Sequence, residues 1–169
     1  SASAPTNSLQ LWDLAREQTI RSFGNRVQAL GIVAGGYLVA AGDAAAVNVW
    51  DIETGEVIRP LSGATQLVID LASSANSSTV IAGCLDGRVI TWDASTGAVL
   101  HNFVSERLVA MRAIPGTNQI LTGHADKLVR VKNSQIGDNL RAFGGHTTST
   151  SLGVGFSPDG RYVVSGGVE

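Results

Sequence analysis

The sequence predicts an all-β fold made of one short unit that is repeated along the chain. Three observations support this: segments that alternate apolar and polar residues, a Trp-Asp pair that returns about every 40 residues, and glycines at the corners between segments. The chain has 20 glycines and four prolines among 169 residues, which indicates tight turns more than a flexible linker. Because no segment sustains a helical period, we expect no helix longer than one turn.

The repeat is clearest in a hairpin whose first strand ends in Trp-Asp. It reads LQLWDLAREQTIRSF from residue 9, VNVWDIETGEVIRPL from residue 47 and VITWDASTGAVLHNF from residue 89. A fourth copy, LVRVKNSQIGDNLRAF from residue 128, has Lys132 at the place of the Trp. These four positions are 38, 42 and 40 residues apart. The first copy has the pattern of a short amphipathic helix too, but the β-branched residues and TG-type corners of its sister segments favour two strands.

A second pair of strands lies between successive hairpins. It reads RVQALGIVAGGYLVAAGDA, LVIDLASSANSSTVIAGCLDG and LVAMRAIPGTNQILTGHAD, and the C-terminal TSLGVGFSPDGRYVVSGGVE follows the same plan. The Ser-Pro-Asp-Gly sequence in the last copy favours chain reversal. Each unit is therefore four short strands. The predicted division is a half unit at 1–23, whole units at 24–61, 62–103 and 104–143, and a half unit at 144–169.

Four-stranded units of this length that end in Trp-Asp resemble WD repeats, in which each unit forms one blade of a β-propeller. The resemblance implies a hydrogen-bonded chain of His, Asp, Ser or Thr and Trp that fastens the strands of a blade, because a buried indole N–H needs a partner. The residues that match this fastening set are Trp12, Trp50, Asp86, Trp92, Thr122, Asp126, His146 and Ser165. No blade has the complete set, so we expect the blades to depend more on apolar packing. Where Lys132 replaces the Trp, we expect its amine to pair with Asp126.

The first half unit supplies the third and fourth strands of a blade, and the last half unit supplies the first and second. Joining them would remove two exposed sheet edges. Three arrangements remain open: a four-bladed ring within one chain, a two-fold ring of eight blades from two chains, or a longer chain with further blades. The sequence begins with Ser1 and not with Met, so we expect a chain that was processed, trimmed or cut from something larger. We expect that these 169 residues do not act as a closed monomer, and that a homo-oligomer or a longer chain completes the ring.

Composition argues against several classes of function. The net charge of −2 gives no basic face for nucleic acid, and no apolar run approaches the length of a membrane span. The N-terminal SASAPTNS is too short and too polar for a signal peptide, so we expect a cytoplasmic protein. The single cysteine, Cys84, excludes an intrachain disulfide and a cysteine-based zinc site, and we expect it to be a small buried apolar residue.

The sequence predicts no catalytic residue, metal site or cofactor. His101, His124 and His146 lack the spacing of metal ligands, and we expect His146 to fasten its blade while the other two are exposed. There is no Gly-x-Ser-x-Gly motif, and the glycine-rich stretches are not followed by the helix that a phosphate site needs.

The resemblance to WD repeats implies a non-catalytic platform that holds proteins or peptides. The alternatives are a ligand-binding or enzymatic propeller that uses its axial channel, for which Arg26, Gln66 and Arg107 are the candidates, and a structural piece that assembles with itself. A platform would bind its partners on the loops that flank the first and second strands. The partner-binding candidates there are Arg26, Asp43, Gln66, Leu85, Arg107 and Ala125.

Overall fold

The structure is a computed structural model, and it describes residues 9–23, 27, 29–33, 37–41, 45–73, 79–114, 117–147 and 151–167. These residues form sixteen β-strands and no helix. None of them forms a helix that is long and apolar enough to cross a membrane. The all-β prediction is confirmed, and LWDLAREQTIRSF forms two strands and not a helix.

The strands form five antiparallel sheets, and consecutive strands are neighbours in every one. The first half blade contains β1 (Leu9–Asp13) and β2 (Gln18–Phe23). Blade 1 contains β3 (Ala29–Val33), β4 (Tyr37–Ala41), β5 (Val47–Asp51) and β6 (Val57–Leu61). Blade 2 contains β7 (Val68–Ser73), β8 (Thr79–Cys84), β9 (Arg88–Asp93) and β10 (Val99–Val104). Blade 3 contains β11 (Leu108–Ile114), β12 (Gln119–His124), β13 (Val129–Asn133) and β14 (Asn139–Phe143). The last half blade contains β15 (Ser151–Phe156) and β16 (Val163–Gly167).

The repeat in the sequence is also a repeat of strand register. Trp50 lies opposite Leu38, Trp92 opposite Val80, and Lys132 opposite Ile120 in the pairing of each blade's second and third strands. Lys132 therefore occupies the backbone position of the Trp, although its chemistry differs.

The corner after each third strand explains why Asp follows each Trp and why Asn133 follows Lys132. The Asp51 side chain accepts the Thr54 N–H at 2.8 Å, and the Asp93 side chain accepts the Thr96 N–H at 3.0 Å. Gly55 closes the first of these corners with a φ of 77°, a conformation that glycine adopts without strain. The Thr54 N–H lowers the pKa of Asp51, and the Ser95 hydroxyl and the Thr96 N–H lower the pKa of Asp93.

The hydrophobic core lies between neighbouring blades. Trp92 and Ile90 of blade 2 pack with Val47, Val49 and Leu61 of blade 1. A second cluster joins blades 2 and 3, and a third joins blade 3 to the last half blade. The innermost strands β3, β7, β11 and β15 lie beside one another in that order. Each blade is therefore stabilised mainly by apolar burial against its neighbours.

The two half blades are separate two-stranded sheets in the structure. Strand β1 pairs only with β2, and β16 pairs only with β15, among the residues described. Trp12 is 55% exposed and Phe143 is 41% exposed, although the equivalent Trp92 and Phe23 are buried. Within the described ranges, an edge and an apolar surface are thus left uncovered at each end of the array.

Candidate partner-binding face

Four of the six predicted partner-binding residues lie along one end of blades 2 and 3. The Leu85 N–H donates at 2.9 Å to the carbonyl of Leu67, the residue that follows Gln66. The Ala125 N–H donates to the Arg107 carbonyl at 3.1 Å. Gln66, Leu85 and Arg107 are exposed, and Ala125 is half-buried. These bonds hold each turn against the connector that enters the same blade. We call Gln66, Leu85, Arg107 and Ala125 the loop face.

The loop face is continuous because the turn of blade 2 also contacts the connector into blade 3. The Ser105 N–H donates to the Gly87 carbonyl at 2.8 Å. Gly87 has a φ of 85°, and a Cβ there would collide with the Ser105 carbonyl oxygen, so the contact requires glycine. In blade 3 the equivalent Lys127 donates from Nζ to the Thr147 carbonyl at 2.9 Å. Each turn is thereby tied to the connector that follows its blade. Arg26 and Asp43, the other two candidates, lie outside the described residues.

A buried polar cluster lies beneath this face, between blades 2 and 3. Its members are Thr122, His124, Arg130 and Lys132, with the more exposed Asp126 and Glu106 as their acidic partners. Thr122 and Lys132 share a sheet face with Ile120, which packs against blade 2. Buried charges are unusual unless they are paired, and the two cations of this cluster are paired.

The expected pairing of Lys132 with Asp126 is wrong. Lys132 is 3% exposed, and its Nζ lies 3.1 Å from Glu106 Oε2. Asp126 instead accepts the guanidinium of Arg130, with Oδ1 3.0 Å from Nη1. The position of Lys132 explains the difference, because the equivalent Trp92 also reaches towards a connector, donating from Nε1 to the Ser62 carbonyl at 2.7 Å.

The ionisation of Glu106 fits its role as the partner of Lys132. Its own backbone N–H, the Lys132 ammonium and the Ser105 hydroxyl lower the pKa of Glu106 to about 2. Glu106 therefore carries its charge throughout the neutral range. Asp126 is charged as well, since the Arg130 guanidinium lowers its pKa.

His124 was expected to be exposed in a turn, and that expectation is also wrong. It is the last residue of β12 and is fully buried. The Thr122 hydroxyl donates to the Arg130 carbonyl at 3.1 Å, so it accepts from His124 Nε2, 2.8 Å away. His124 Nδ1 then carries no hydrogen, and it is buried without a partner in the part of the chain that the structure describes. Burial and the charge of Arg130 lower the pKa of His124.

The other residues of the predicted fastening set occupy varied environments. The Trp50 ring meets Phe23 edge to face at 5.8 Å, while its buried Nε1 has no hydrogen-bond acceptor among the described residues. His146 Nε2 lies 2.8 Å from Ser165 Oγ. The Asp86 side chain accepts the Arg88 N–H at 3.0 Å and so holds its own turn. Their role in fastening the blades remains a prediction.

The sequence reasoning missed an ion pair on the innermost strands. Asp70 Oδ2 accepts the Met111 N–H at 2.9 Å and Nη1 of Arg112 at 2.7 Å, which joins β7 to β11. Burial raises the pKa of Asp70 despite these bonds. No local pattern marks the pair, because its members belong to different blades.

The described residues contain no group of three or more His, Cys, Asp and Glu side chains placed to hold a metal ion. His101, which was expected to be exposed, is half-buried on β10. Cys84 is fully buried, as expected, and burial raises the pKa of its thiol to about 11. A thiol with that pKa is a poor nucleophile at neutral pH.

Two segments match the family model of the WD domain, G-beta repeat, at residues 55–93 and 137–168. These two segments are WD repeats. The first segment runs from the last strand of blade 1 to the Trp-Asp pair of blade 2, and the second covers the last strand of blade 3 and the last half blade.

Several proteins are similar to this WD-repeat chain. It is 26% identical over 176 residues to protein tipD of Dictyostelium discoideum, which covers 96% of this chain and 28% of that protein. It is 30% identical over 100 residues to autophagy-related protein 16 of Arabidopsis thaliana, covering 59% of this chain and 16% of that protein. It is 30% identical over 94 residues to human WD repeat-containing protein 36, covering 55% of this chain and 10% of that protein. The WD-repeat chain thus spans less than a third of each relative.

A solved structure is similar to the whole WD-repeat array. The crystal structure of the computationally designed Ika8 protein superimposes with a TM-score of 0.73 at 25% sequence identity. The match covers 92% of this chain and 48% of the designed chain. The WD-repeat array therefore has the fold of about half of that chain.

Proposed function

We propose that this WD-repeat chain is a non-catalytic platform that holds proteins or peptides. The observation that carries the proposal is the loop face, a continuous exposed surface of turns and connectors held in place by backbone hydrogen bonds. A binding surface that is already ordered loses little conformational entropy when a partner docks. The two WD repeats support this function, because WD-repeat proteins are generally non-catalytic scaffolds. We place the platform in the cytoplasm, with proteins and not nucleic acid or membrane as partners.

The chemistry of the loop face suits a partner with an apolar anchor and an acidic group. Leu85 is 46% exposed at the tip of its turn, and Arg107 is exposed on the neighbouring connector. An exposed leucine beside an arginine offers one apolar contact and one charge-assisted hydrogen bond. We therefore expect bound peptides to carry a hydrophobic residue close to Asp, Glu or a C-terminal carboxylate.

Peptide selection followed by charge reversal on the loop face tests the proposal. Peptides selected from a display library on the 169-residue chain should lose about ten-fold or more in affinity when Leu85→Ser and Arg107→Glu are combined, as for other binding hot spots. The matched control combines Ile136→Ser with Gln135→Glu, both exposed in the corner at the opposite end of blade 3. The control should retain affinity, and both variants should keep the melting temperature of the parent.

The axial alternative predicts a different result. If the selected ligands tolerate the loop-face variant but are lost when Asp70→Asn and Arg112→Gln are combined, the binding site lies on the innermost strands and the loop-face proposal fails. Asp70 and Arg112 already form an ion pair with each other, so their charges are less available to a ligand at the axis.

We propose assembly with a second copy as the other candidate function. The observation that favours it is the pair of half blades, each with an exposed strand edge and an exposed aromatic residue, Trp12 on one and Tyr162 on the other. Such edges are prone to pair with further strands. Sedimentation equilibrium over a wide dilution series tests this, because a chain of 17.5 kDa that stays monomeric and unfolds cooperatively would contradict it.

A further inference from the structure

A cavity of about 600 Å³ opens between blade 3 and the last half blade. Its lining includes Val131, Arg141, Phe143, Phe156 and Arg161. Arg141 is exposed, and 41% of Phe143 is exposed to solvent. We call Arg141, Phe143 and this cavity the socket.

The first half blade shows what occupies an equivalent socket. Arg21 and Phe23 hold the positions on β2 that Arg141 and Phe143 hold on β14. The Arg21 guanidinium donates to the Thr54 carbonyl in the corner of blade 1 at 2.7 Å, and Phe23 is 3% exposed beneath the Trp50 ring. The occupant is therefore the third-to-fourth strand hairpin of the next blade.

The same arrangement recurs at the two junctions between whole blades. Leu61 of blade 1 is buried in one cluster with Trp92, and a Cβ on Gly97 would lie 3.5 Å from Arg59 Cδ. At the next junction Phe103 of blade 2 lies against Gly137 in the corner of blade 3. A fourth socket, that of Arg141 and Phe143, is the one without such a hairpin among the described residues.

The β1–β2 hairpin has the shape and charge to fill that socket. Trp12 occupies the place of Trp50 and Trp92, yet 55% of it is exposed. The corner of this hairpin has Glu17, with a φ of 55°, where the corners of the three whole blades have glycine. At blade 1 a Cβ on Gly55 would lie 2.7 Å from Arg21 Cδ. A side chain at residue 17 would thus point at the arginine of its socket, whose flexible side chain would have to shift to admit it, and a carboxylate there would then meet the Arg141 guanidinium.

We propose that the socket of one copy receives the β1–β2 hairpin of a second copy, with Trp12 on Phe143 and Glu17 paired with Arg141. The proposal rests on the proposed self-assembly and names the contact that performs it. The partner is a second copy because the chain's own half blades form separate sheets, and because the array matches about half of a solved chain. Two such halves supply eight blades.

The three whole blades also define the strand pairing at the new junction. The Trp position lies opposite Val80 on β8 in blade 2, and the matching residue of β16 is Val163. The proposed antiparallel register therefore places Val163 opposite Trp12, Val164 opposite Leu11, and Ser165 opposite Gln10.

Charge exchange across the junction tests the contact. Glu17→Arg and Arg141→Glu should each weaken dimerisation of the 169-residue chain about ten-fold or more, measured by sedimentation equilibrium, because each places like charges together at two identical junctions. The combined Glu17→Arg and Arg141→Glu variant should recover most of the loss. A dimer that all three variants leave unchanged would overturn this contact while leaving self-assembly through another surface intact. A chain that stays at 17.5 kDa would overturn both.

Cysteine pairing tests the register and does not depend on the charge variants folding. In a Cys84→Ala background, Leu11→Cys chains are mixed with Val164→Cys chains and oxidised. A disulfide between the two chains is expected, since residues directly opposite one another on paired strands have Cβ atoms about 4.5–5.5 Å apart. Mixing Leu11→Cys with Tyr162→Cys is the control and should give little product. If a single chain that carries both Leu11→Cys and Val164→Cys closes a disulfide within one monomer, or if the mixture of single-cysteine chains gives no disulfide, the proposal is overturned.

Discussion

At the same backbone position, blade 2 buries the indole of Trp92 and blade 3 buries the ammonium of Lys132. In blade 2 the indole of Trp92 is buried among apolar residues and donates one hydrogen bond to the connector at Ser62. In blade 3 Lys132 starts from the equivalent backbone position and reaches its connector through an ion pair with Glu106. The indole needs one acceptor. The ammonium needs a counter-charge, because an unpaired buried charge is very costly.

The difference extends to the neighbouring strands. Around Lys132, the blade has the buried Arg130, paired with Asp126, and the buried His124. The corresponding stretch of blade 2 has the apolar Ile90 and Cys84 at the places of Arg130 and His124. The stability of blade 3 should therefore depend on charge and pH, whereas that of blade 2 should depend on volume. The two blades thus share the backbone position of this residue, but its side chain and the interactions around it differ.

The largest expected effect is the loss of the apolar fastening in blade 2. Trp92→Ala should lower the free energy of unfolding by about 3–5 kcal/mol, because it leaves a cavity in the core and an unused acceptor at Ser62. Urea denaturation of the parent and the variant at pH 7 measures it. Trp12→Ala is the matched control at protein concentrations low enough to keep the chain monomeric, where it should cost much less because that indole is 55% exposed. Equal losses in the two variants would contradict the assignment of Trp92 to the core.

The sequence was sufficient to predict the features that depend only on residues close together in the chain. Alternation, Asp or Asn at the corner and a residue with positive φ a few positions later define each hairpin, so the strands around Trp50 and Trp92 could be predicted. The partner of Lys132 could not be. Asp126 is six residues away along the chain, but the amine follows the direction of the Trp side chain towards a connector 26 residues upstream.

His124 and Asp70 were missed for the same physical reason. The sequence TGHAD has the composition of a turn, yet β12 continues through His124 because it pairs with Leu108 of the preceding strand. Asp70 lies on β7 and binds Arg112 of the next blade. In both cases a residue from another strand determines the environment, and no local pattern reports it.

The second prediction concerns removal of the ion pair between Lys132 and Glu106 in blade 3. Glu106→Ala leaves the Lys132 ammonium buried without a counter-charge, and it should lower the free energy of unfolding by about 2 kcal/mol. The loss stays below that expected for a fully buried pair because the Glu106 side chain is 45% exposed, so water screens the interaction. Asp126→Ala, which removes the acid first expected to bind Lys132, is the comparison. Lys132→Met should suppress the effect of Glu106→Ala, and persistence of the full loss in that background would show that Glu106 acts elsewhere.

The third prediction concerns pH. His124 has an ordinary pKa near 6.5 in the unfolded chain and a lowered pKa in the folded chain. As the pH falls below 6.5, the unfolded chain binds a proton that the folded chain does not, so stability should fall, with a slope of at most about 1.4 kcal/mol per pH unit. Glu106 and Asp126 have lowered pKa values and add their own losses only at more acidic pH.

Urea denaturation at several pH values between 5 and 7 measures the contribution of His124. His124→Gln retains a donor for Thr122 and cannot take up a proton, so its stability should vary less with pH than that of the parent. His101→Gln, at a half-buried strand position, is the control for the loss of any histidine. An unchanged pH dependence in His124→Gln would refute the role of this residue.

The smallest net effect is expected when blade 3 is converted to the chemistry of blade 2. Lys132→Trp alone should destabilise the chain, because the indole is larger than the space built around the amine and the charge of Glu106 loses its partner. Glu106→Ala alone leaves the ammonium unpaired. Together, Lys132→Trp and Glu106→Ala remove the whole ion pair and restore an indole near a connector. The double variant should therefore lie within about 1 kcal/mol of the parent, since replacing a buried pair by apolar groups is often neutral. A double-mutant cycle by urea denaturation measures the coupling, and additive losses would show that Lys132 and Glu106 act independently.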